Sequence, residues 1–288
     1  MQGTIIKGIA GFYYVKAGDT VYQCKARGIF KKDGITPYVG DEVIIENINE
    51  REALIKKILP RKNFFIRPPV ANVDCFVIVV AAANPDPNPE IIDKLLVMVE
   101  KENIDIIICI NKIDLINGNK ISEILEIYKN IYPVVCTCGK TGEGVNELSA
   151  LLGNRKSALA GPSGAGKSTL LNQLQTRFTV EIGDISEKTK RGKHTTRHVE
   201  MFETDSGALI FDTPGFTSFE ILDVEEDELH YLYPEMIQFI GECKYDNCRH
   251  IKEPNCRIMK AVKDGDIHKS RYQSYIKQYN EIQEKRKF

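Results

Sequence analysis

The chain has 288 residues, of which 42% are hydrophobic, and a net charge of −1. That length and apolar content suit two or three cored domains. No apolar run reaches the roughly 18 residues of a membrane span, and the opening "MQGTIIKGIAGFYY" lacks the build of a signal peptide, so a cytoplasmic protein with no membrane partner is expected.

Residues 1–60 alternate apolar and polar positions in short runs such as "TVYQCKARGIF" and "DEVIIENI", parted by "AGD", "KKDG" and "VGD". Short strands at that spacing predict a small all-β barrel of OB type. From about residue 70 the texture changes. "CFVIVVAAA" and "IDIIICIN" are continuous apolar runs, as in strands covered on both faces. Between them "EIIDKLLVMVEKEN" predicts a helix with Ile91, Leu95, Met98 and Val99 on one face. "ISEILEIYKNI" (helix), "PVVCT" (strand), "GVNELSALL" (helix), "KSALAG" (strand) and "GKSTLLNQL" (helix) continue the alternation, which predicts a parallel α/β sheet. Further on, "DVEEDELHYLYPEM" reads as helical, and "SRYQSYIKQYNEIQEKRKF" as an amphipathic helix with a basic end. The expected domains are 1–65, 66–222 and 223–288.

The apolar run to Ile110 ends in Asn111-Lys112-Ile113-Asp114. A carboxylate at Asp114 can accept from the two adjacent N–H groups of guanine's Watson–Crick edge, where adenine would leave it unpaired. The stem of Lys112 can cover the base. "TCGKTGEG" follows the next strand and resembles the second base loop of Ras-like GTPases, with Cys138 and Gly139 where Ser and Ala are usual; a backbone N–H there would support guanine's carbonyl.

Downstream, "GPSGAGKST" (Gly161, Pro162, Ser163, Gly164, Ala165, Gly166, Lys167, Ser168, Thr169) satisfies G-x-x-x-x-G-K-[ST] between an apolar strand and a helix. Its glycines let backbone N–H groups wrap phosphates; Lys167 can reach the outer phosphates and Ser168 can ligate Mg²⁺. "SEKTKRGKHTTRHVE" is a polar, basic loop in which Thr195 or Thr196 would be a second Mg²⁺ ligand. "IFDTPGF" ends a strand in Asp-x-x-Gly, with Asp212 placed to hold Mg²⁺ and the Gly215 N–H to meet the γ-phosphate. Phe216 stands where Ras-like enzymes carry their water-orienting Gln. His194, beside the candidate threonines, is the residue expected to position the attacking water. These are the parts of a GTPase in rotated order, base loops first, as a circular permutation would leave them.

Of eight cysteines, Cys24, Cys75, Cys109, Cys136 and Cys138 read as scattered, mostly buried thiols, whereas "CKYDNCRHIKEPNC" gathers Cys243, Cys248 and Cys256 around His250. Three thiolates and an imidazole suit a closed, structural, tetrahedral Zn²⁺ site. His230 and His268 have no such neighbours and are expected at the surface. The charge is uneven: residues 1–70 and 241–288 each hold 12 Lys/Arg against 7 Asp/Glu, and the acidic centre balances them. Basic ends suit polyanion contact as well as ordinary solvated surface.

The permuted order, "GPSGAGKSTLLN", "RGKHTTRH", "DTPGF", the small β domain in front and the Cys-x4-Cys-x-His-x5-Cys cluster behind together resemble the ribosome small-subunit-dependent GTPase A (RsgA) family over essentially the whole chain. The resemblance implies an OB-fold, a permuted GTPase domain and a mostly helical zinc domain. It also implies a late role in maturation of the small ribosomal subunit, with GTP hydrolysis to GDP stimulated by that particle and its rRNA contacted by the basic ends. It places the family's catalytic switch histidine at His194. Cys138-Gly139 is a departure from the family's pattern. The expected cofactors are Zn²⁺ and Mg²⁺, and a monomer is expected. Two other readings are a GTP-gated RNA-binding module, in which hydrolysis only resets binding, and a small-molecule kinase; the base-reading loops and the missing acceptor lid speak against the second.

Overall fold

The alternation of the first sixty residues becomes a closed barrel. In a computed structural model, which describes residues 1–9, 11–26, 35–66, 68–116, 118–175, 199–212 and 224–286, the strands are β1 (Gln2–Ile9), β2 (Phe12–Ala17), β3 (Thr20–Ala26), β4 (Glu42–Asn47) and β5 (Glu52–Ile58). They pair in the order β1-β2-β3-β5-β4, and β1 also pairs with β4, with Gln2 opposite Ile44. That last pairing closes five strands on themselves and leaves no free edge. Only β3 and β5 run parallel; the other barrel pairs are antiparallel. Ile5, Val15, Cys24, Val43, Ile45, Ala53 and Ile55 fill the inside, each at most 1% exposed. The sequence-level expectation of an OB-type barrel holds.

A two-stranded ribbon, β6 (Phe64–Phe65) and β7 (Val70–Ala71), leads out of the barrel. Alternating elements follow: β8 (Cys75–Ala81), α1 (Pro89–Lys101), β9 (Asp105–Asn111), α2 (Gly118–Tyr128), β10 (Val134–Thr137), α3 (Val145–Leu152), β11 (Lys156–Ala160) and α4 (Lys167–Leu174). β12 (Glu200–Glu203) and β13 (Leu209–Asp212) come next, then α5 (Pro234–Ile237), α6 (Arg257–Asp264) and α7 (Lys269–Lys285).

The chain divides into two compact units. One comprises Met1–Cys75, Val145–Leu159 and Ser168–Phe216. In it β1 continues from the barrel into β12, antiparallel with Lys7 opposite Glu200, then β13, then β11 parallel to β13. Ion pairs far apart in sequence fasten this unit: Lys7 to Glu200, Lys16 to Glu203 and Lys156 to Glu42.

The other unit comprises Phe76–Gly144, Ala160–Lys167 and Thr217–Phe288. Its strands lie in the order β10-β9-β8, with β10 parallel to β9 from Val134↔Ile108 to Thr137↔Asn111. Every residue of β8 is buried, as its unbroken apolar run requires. α1 starts cleanly because Asn88 accepts from the Glu90 N–H and Pro89 occupies the first helical position.

Two expectations need correction here. α1 does not bury one face through Ile91 and Met98: Ile91 is 42% exposed and Met98 half-buried, while Ile92, Asp93, Leu95, Leu96, Val97 and Val99 are covered. The reason is that α1 is packed on more than one side. Val97 joins the C-terminal core of Leu229, Tyr233, Met236, Ile258 and Tyr275, and Asp93 faces α7. "DVEEDELHYLYPEM" is not one helix either. Among its described residues a 3₁₀ turn, Leu229–Leu232, stops at Tyr233, and α5 restarts at Pro234, whose ring cannot continue a helix from behind.

Within this unit α7 is fastened to α1 by a buried ion triad. Arg271, fully buried, donates from Nη1 to Asp93 Oδ1 (2.6 Å) and grips Glu235 with Nε (2.7 Å) and Nη2 (3.1 Å). Tyr128 donates to the same Asp93 oxygen at 3.0 Å, and the guanidinium lies 4.5 Å from the Tyr233 ring centre. Burial raises the Asp93 pKa, and the Arg271 charge opposes that rise. Removing one member strands buried charge. Arg271→Leu is therefore expected to cost about 3–5 kcal/mol in urea unfolding, whereas Lys277→Ala, which breaks the exposed pair with Glu90, leaves the midpoint in place.

Candidate functional site

The site is built around one buried amide. β9 delivers Asn111 to its C-terminal end, where the residue is 1% exposed. Its Oδ1 accepts from the Gly139 N–H at 2.9 Å and the Thr137 hydroxyl at 3.2 Å, and its Nδ2 donates to the Ala165 carbonyl at 2.9 Å. One side chain thus ties the first base loop to the second and both to the phosphate loop. Gly139 spends its N–H on this contact, so it holds the loop rather than offering that group outward.

The phosphate loop fits only because two positions lack a side chain. A Cβ on Gly166 (φ 92°) would lie 2.3 Å from Asn111 Nδ2, and one on Gly161 (φ 144°) 2.2 Å from the Val79 carbonyl oxygen. Lys167 Nζ donates to the carbonyls of Gly161 (2.7 Å) and Pro162 (3.0 Å), which sets the ammonium over the loop. Burial lowers its pKa. Pro162 is half-buried, Ser163 and Gly164 are exposed, and Ala165 is buried under the loop. The loop opens into α4, whose first-turn N–H groups carry partial positive charge.

Lys112, in the left-handed region at φ 64°, donates from Nζ to the Asn84 carbonyl and so lays its stem across this edge. Asp114 is exposed, and its Oδ1 accepts from Cys138 Sγ at 3.2 Å. The thiol of the departing Cys138 does for Asp114 what a hydroxyl would do: it fixes one carboxylate oxygen and aims the group.

The other predicted residues are placed as follows. Ser168 and Thr169 stand exposed in the first turn of α4, and Asp212 is exposed at the last residue of β13. Partial burial raises the Asp212 pKa, with the charge of Glu200 adding to it. A carboxylate in that setting gains from a cation, and together with the Ser168 hydroxyl it is a hard oxygen donor of the kind Mg²⁺ takes. His194, Thr195, Thr196 and Gly215 lie outside the described residues.

Cys243, Cys248, His250 and Cys256 converge, with all four ligand atoms within 4.8 Å of one another. His250 Nδ1 is 3.6 Å from Cys243 Sγ and 3.4 Å from Cys256 Sγ. Sulfurs and imidazole nitrogen at that spacing can share one tetrahedral ion at ordinary Zn–S and Zn–N lengths. Backbone N–H groups at the start of α6 point at the sulfurs: Arg257 N to Cys243 (3.3 Å) and Met259 N to Cys256 (3.5 Å). Burial pushes the Cys248 thiol up to about 12 and holds His250 down at about 4. The imidazole is thus neutral, as a ligand must be, while the thiolates need a cation beside them. Glu253 braces the turn by accepting from the N–H groups of Arg249, Ile251 and Lys252, each at 2.9 Å. His230 corrects an expectation: it is buried, 7% exposed, with its ring 5.1 Å from that of His250. His268 is exposed and caps α7 by accepting from the Ser270 N–H.

Comparison with known proteins gives a consistent result. Residues 58–222 match the family model described as RsgA GTPase, and residues 2–55 that of the RsgA N-terminal domain. The chain is 44% identical over 288 residues to a protein of Caldanaerobacter subterraneus subsp. tengcongensis, with 100% of this chain and 97% of that one covered. It is 44% identical to one of Clostridium acetobutylicum, both chains being covered completely. Each is named small ribosomal subunit biogenesis GTPase RsgA. Among solved structures it is similar to YloQ, described as a circularly permuted GTPase (TM-score 0.84, 38% identity, 99% of this chain and 95% of that one). It is also similar to YjeQ from Thermotoga maritima (TM-score 0.84, 34% identity, 98% of each).

Asn111→Asp would turn a carboxylate oxygen against the Ala165 carbonyl; titration with a fluorescent GDP analogue is expected to show at least a tenfold weaker Kd, roughly the 1.5 kcal/mol of one good hydrogen bond. In the same assay Cys138→Ser keeps wild-type affinity and Cys138→Ala weakens it. For the cluster, elemental analysis should find one zinc per chain, and Cys248→Ser should lose it together with thermal stability.

Proposed function

The chain belongs to the RsgA GTPase family, and we propose that it hydrolyses GTP on the maturing small ribosomal subunit, with the subunit stimulating turnover. The observation that carries this reading is the Asn111 clamp, which joins two base loops and a phosphate loop into one nucleotide-sized edge. Asp114 reads guanine's N–H edge, with Cys138 holding its carboxylate. Lys112 covers the base. The N–H groups of residues 161–167 and the start of α4 wrap the phosphates, and Lys167 turns from its two carbonyls to their outer oxygens. Thr169, in the first turn of α4, and the Gly215 N–H complete the nucleotide contacts. Ser168 and Asp212, with Thr195 or Thr196, would hold Mg²⁺, which when bound neutralises charge on the β- and γ-phosphates. His194 positions the attacking water, a role that Phe216 cannot fill.

The parts act as an OB barrel (1–65), a circularly permuted GTPase domain (66–222) and a zinc domain with a C-terminal helix (223–288). Zn²⁺ on Cys243, Cys248, His250 and Cys256 is structural, since four protein ligands leave no open position. The basic ends engage rRNA through its phosphates. Among the described residues no helix is long and apolar enough to cross a membrane, and we place the protein in the cytoplasm as a monomer.

The test is GTP hydrolysis by the purified chain with and without small subunits, with ATP as control. Strong stimulation confined to GTP, abolished by His194→Ala with nucleotide affinity intact, is expected. Subunit binding with flat turnover would instead make the protein a nucleotide-gated RNA binder.

A further inference from the structure

Behind the Asn111 clamp lies a thiol that the GTPase reading does not use. Cys109 and Asn111 are next-but-one neighbours on β9, so their side chains leave the same face of the sheet. On the adjacent parallel strand β10, Thr137 pairs with Asn111 and Val135 with Cys109. Cys109 Sγ stands 3.1 Å from Thr137 Oγ1, and that hydroxyl stands 3.2 Å from Asn111 Oδ1. Cys109 and Thr137 are fully buried and Asn111 nearly so.

The direction of each hydrogen bond follows from groups that have no choice. The Gly139 N–H can only donate and the Ala165 carbonyl can only accept, so the Asn111 amide must turn its oxygen to the first and its NH₂ to the second. An amide oxygen only accepts, so the Thr137 hydroxyl spends its single proton on Asn111. What the hydroxyl turns toward Cys109 is a lone pair, and the thiol has to be the donor. The proton is there to give: burial pushes the Cys109 pKa up to about 12, so the sulfur stays protonated at neutral pH. The result is a chain from S–H to O–H to C=O, continued through the amide N–H to the phosphate loop. Every member donates in the same sense, so each bond polarises the next in an interior where water does not compete.

We propose that Cys109 is a positioning residue of the nucleotide site: its thiol donates to Thr137, and Thr137 in turn holds the Asn111 amide in the orientation that serves both the second base loop and the phosphate loop. Its effect on GDP binding rests on the nucleotide reading above; the thiol hydrogen bond does not. The alternative is a buried cysteine that only fills space, as free cysteines in cores commonly do. The two roles predict opposite orders for two substitutions. Cys109→Val keeps an apolar side chain suited to a strand and lacks a donor. Cys109→Ser keeps the donor and gives up apolar bulk.

The experiment begins with Raman spectra of the full chain without nucleotide. Subtracting the Cys109→Ser spectrum from that of wild type isolates the Cys109 S–H stretching band. It should lie at lower frequency than a free thiol, because donation weakens the S–H bond, and Thr137→Val should return it to the free-thiol position. Titration with the fluorescent GDP analogue should then show Cys109→Val weakening the Kd by roughly three- to tenfold, the range of one hydrogen bond, with Cys109→Ser close to wild type. In a Thr137→Val background Cys109→Val should add nothing, since links of one chain are not additive. The inference is overturned if the Cys109 band lies where a free thiol absorbs, if Cys109→Val binds like wild type, or if Cys109→Ser weakens binding more than Cys109→Val. Were Cys109→Ser to unfold, the difference between wild type and Thr137→Val decides. Were wild type to bind GDP and ADP analogues alike, the guanine reading would fall, while the S–H band of the nucleotide-free chain would still decide the donor.

Discussion

The nucleotide edge depends on the side chain of Asn111. An amide has a two-fold acceptor and a two-fold donor, and here both ends are engaged with backbone, across 28 residues to Gly139 and 54 residues to Ala165. The carbonyl end selects the second base loop and the NH₂ end the phosphate loop, while the chain at Gly166 must be bare to pass beneath. None of these contacts depends on which loop comes first along the polypeptide. A domain whose elements have been rotated in sequence can therefore keep the same arrangement of loops, because what joins them is a side-chain clamp and not chain connectivity.

Much of this architecture was legible in the residues. Alternation announced the barrel, since a strand with one wet face must alternate, and unbroken apolar runs announced β8 and β9, since a doubly covered strand need not. The Gly-Lys-Ser stretch and the Cys/His spacing are local patterns with one strong reading each. What stayed hidden depended on contacts distant in sequence. Ile91 is exposed and Asp93 buried because α1 meets α7, whose Arg271 lies 178 residues away. His230 is buried because it backs onto His250, which no spacing rule links to it. Spacing alone does not show that the Asn111 amide holds the Gly139 N–H and the Ala165 carbonyl, because β9 and β10 set Thr137 and Gly139 beside it only in the folded sheet. Cys138 looked like a mere departure from pattern, yet a thiol within 3.2 Å of Asp114 preserves the donor that the position requires.

Charge is handled differently in the two units. In the first, ion pairs between the barrel and the strands that continue it are partly wet and fasten register more than they add stability. In the second, the Arg271 triad is dry, and Cys248, His250 and Cys256 lie buried beside the half-buried Cys243. The second unit holds its large electrostatic terms inside, where each is satisfied by one geometry only.

That arrangement has a consequence for how the chain is made. Asp93 leaves the exit tunnel long before Arg271 exists, and until α7 has been synthesised the carboxylate has no cation to meet. The interior of the second unit therefore cannot close progressively as the nascent chain lengthens. It closes only once α7 has been synthesised, and a polypeptide truncated before α7 would be left with a charged seam open to water and to the proteases that read it.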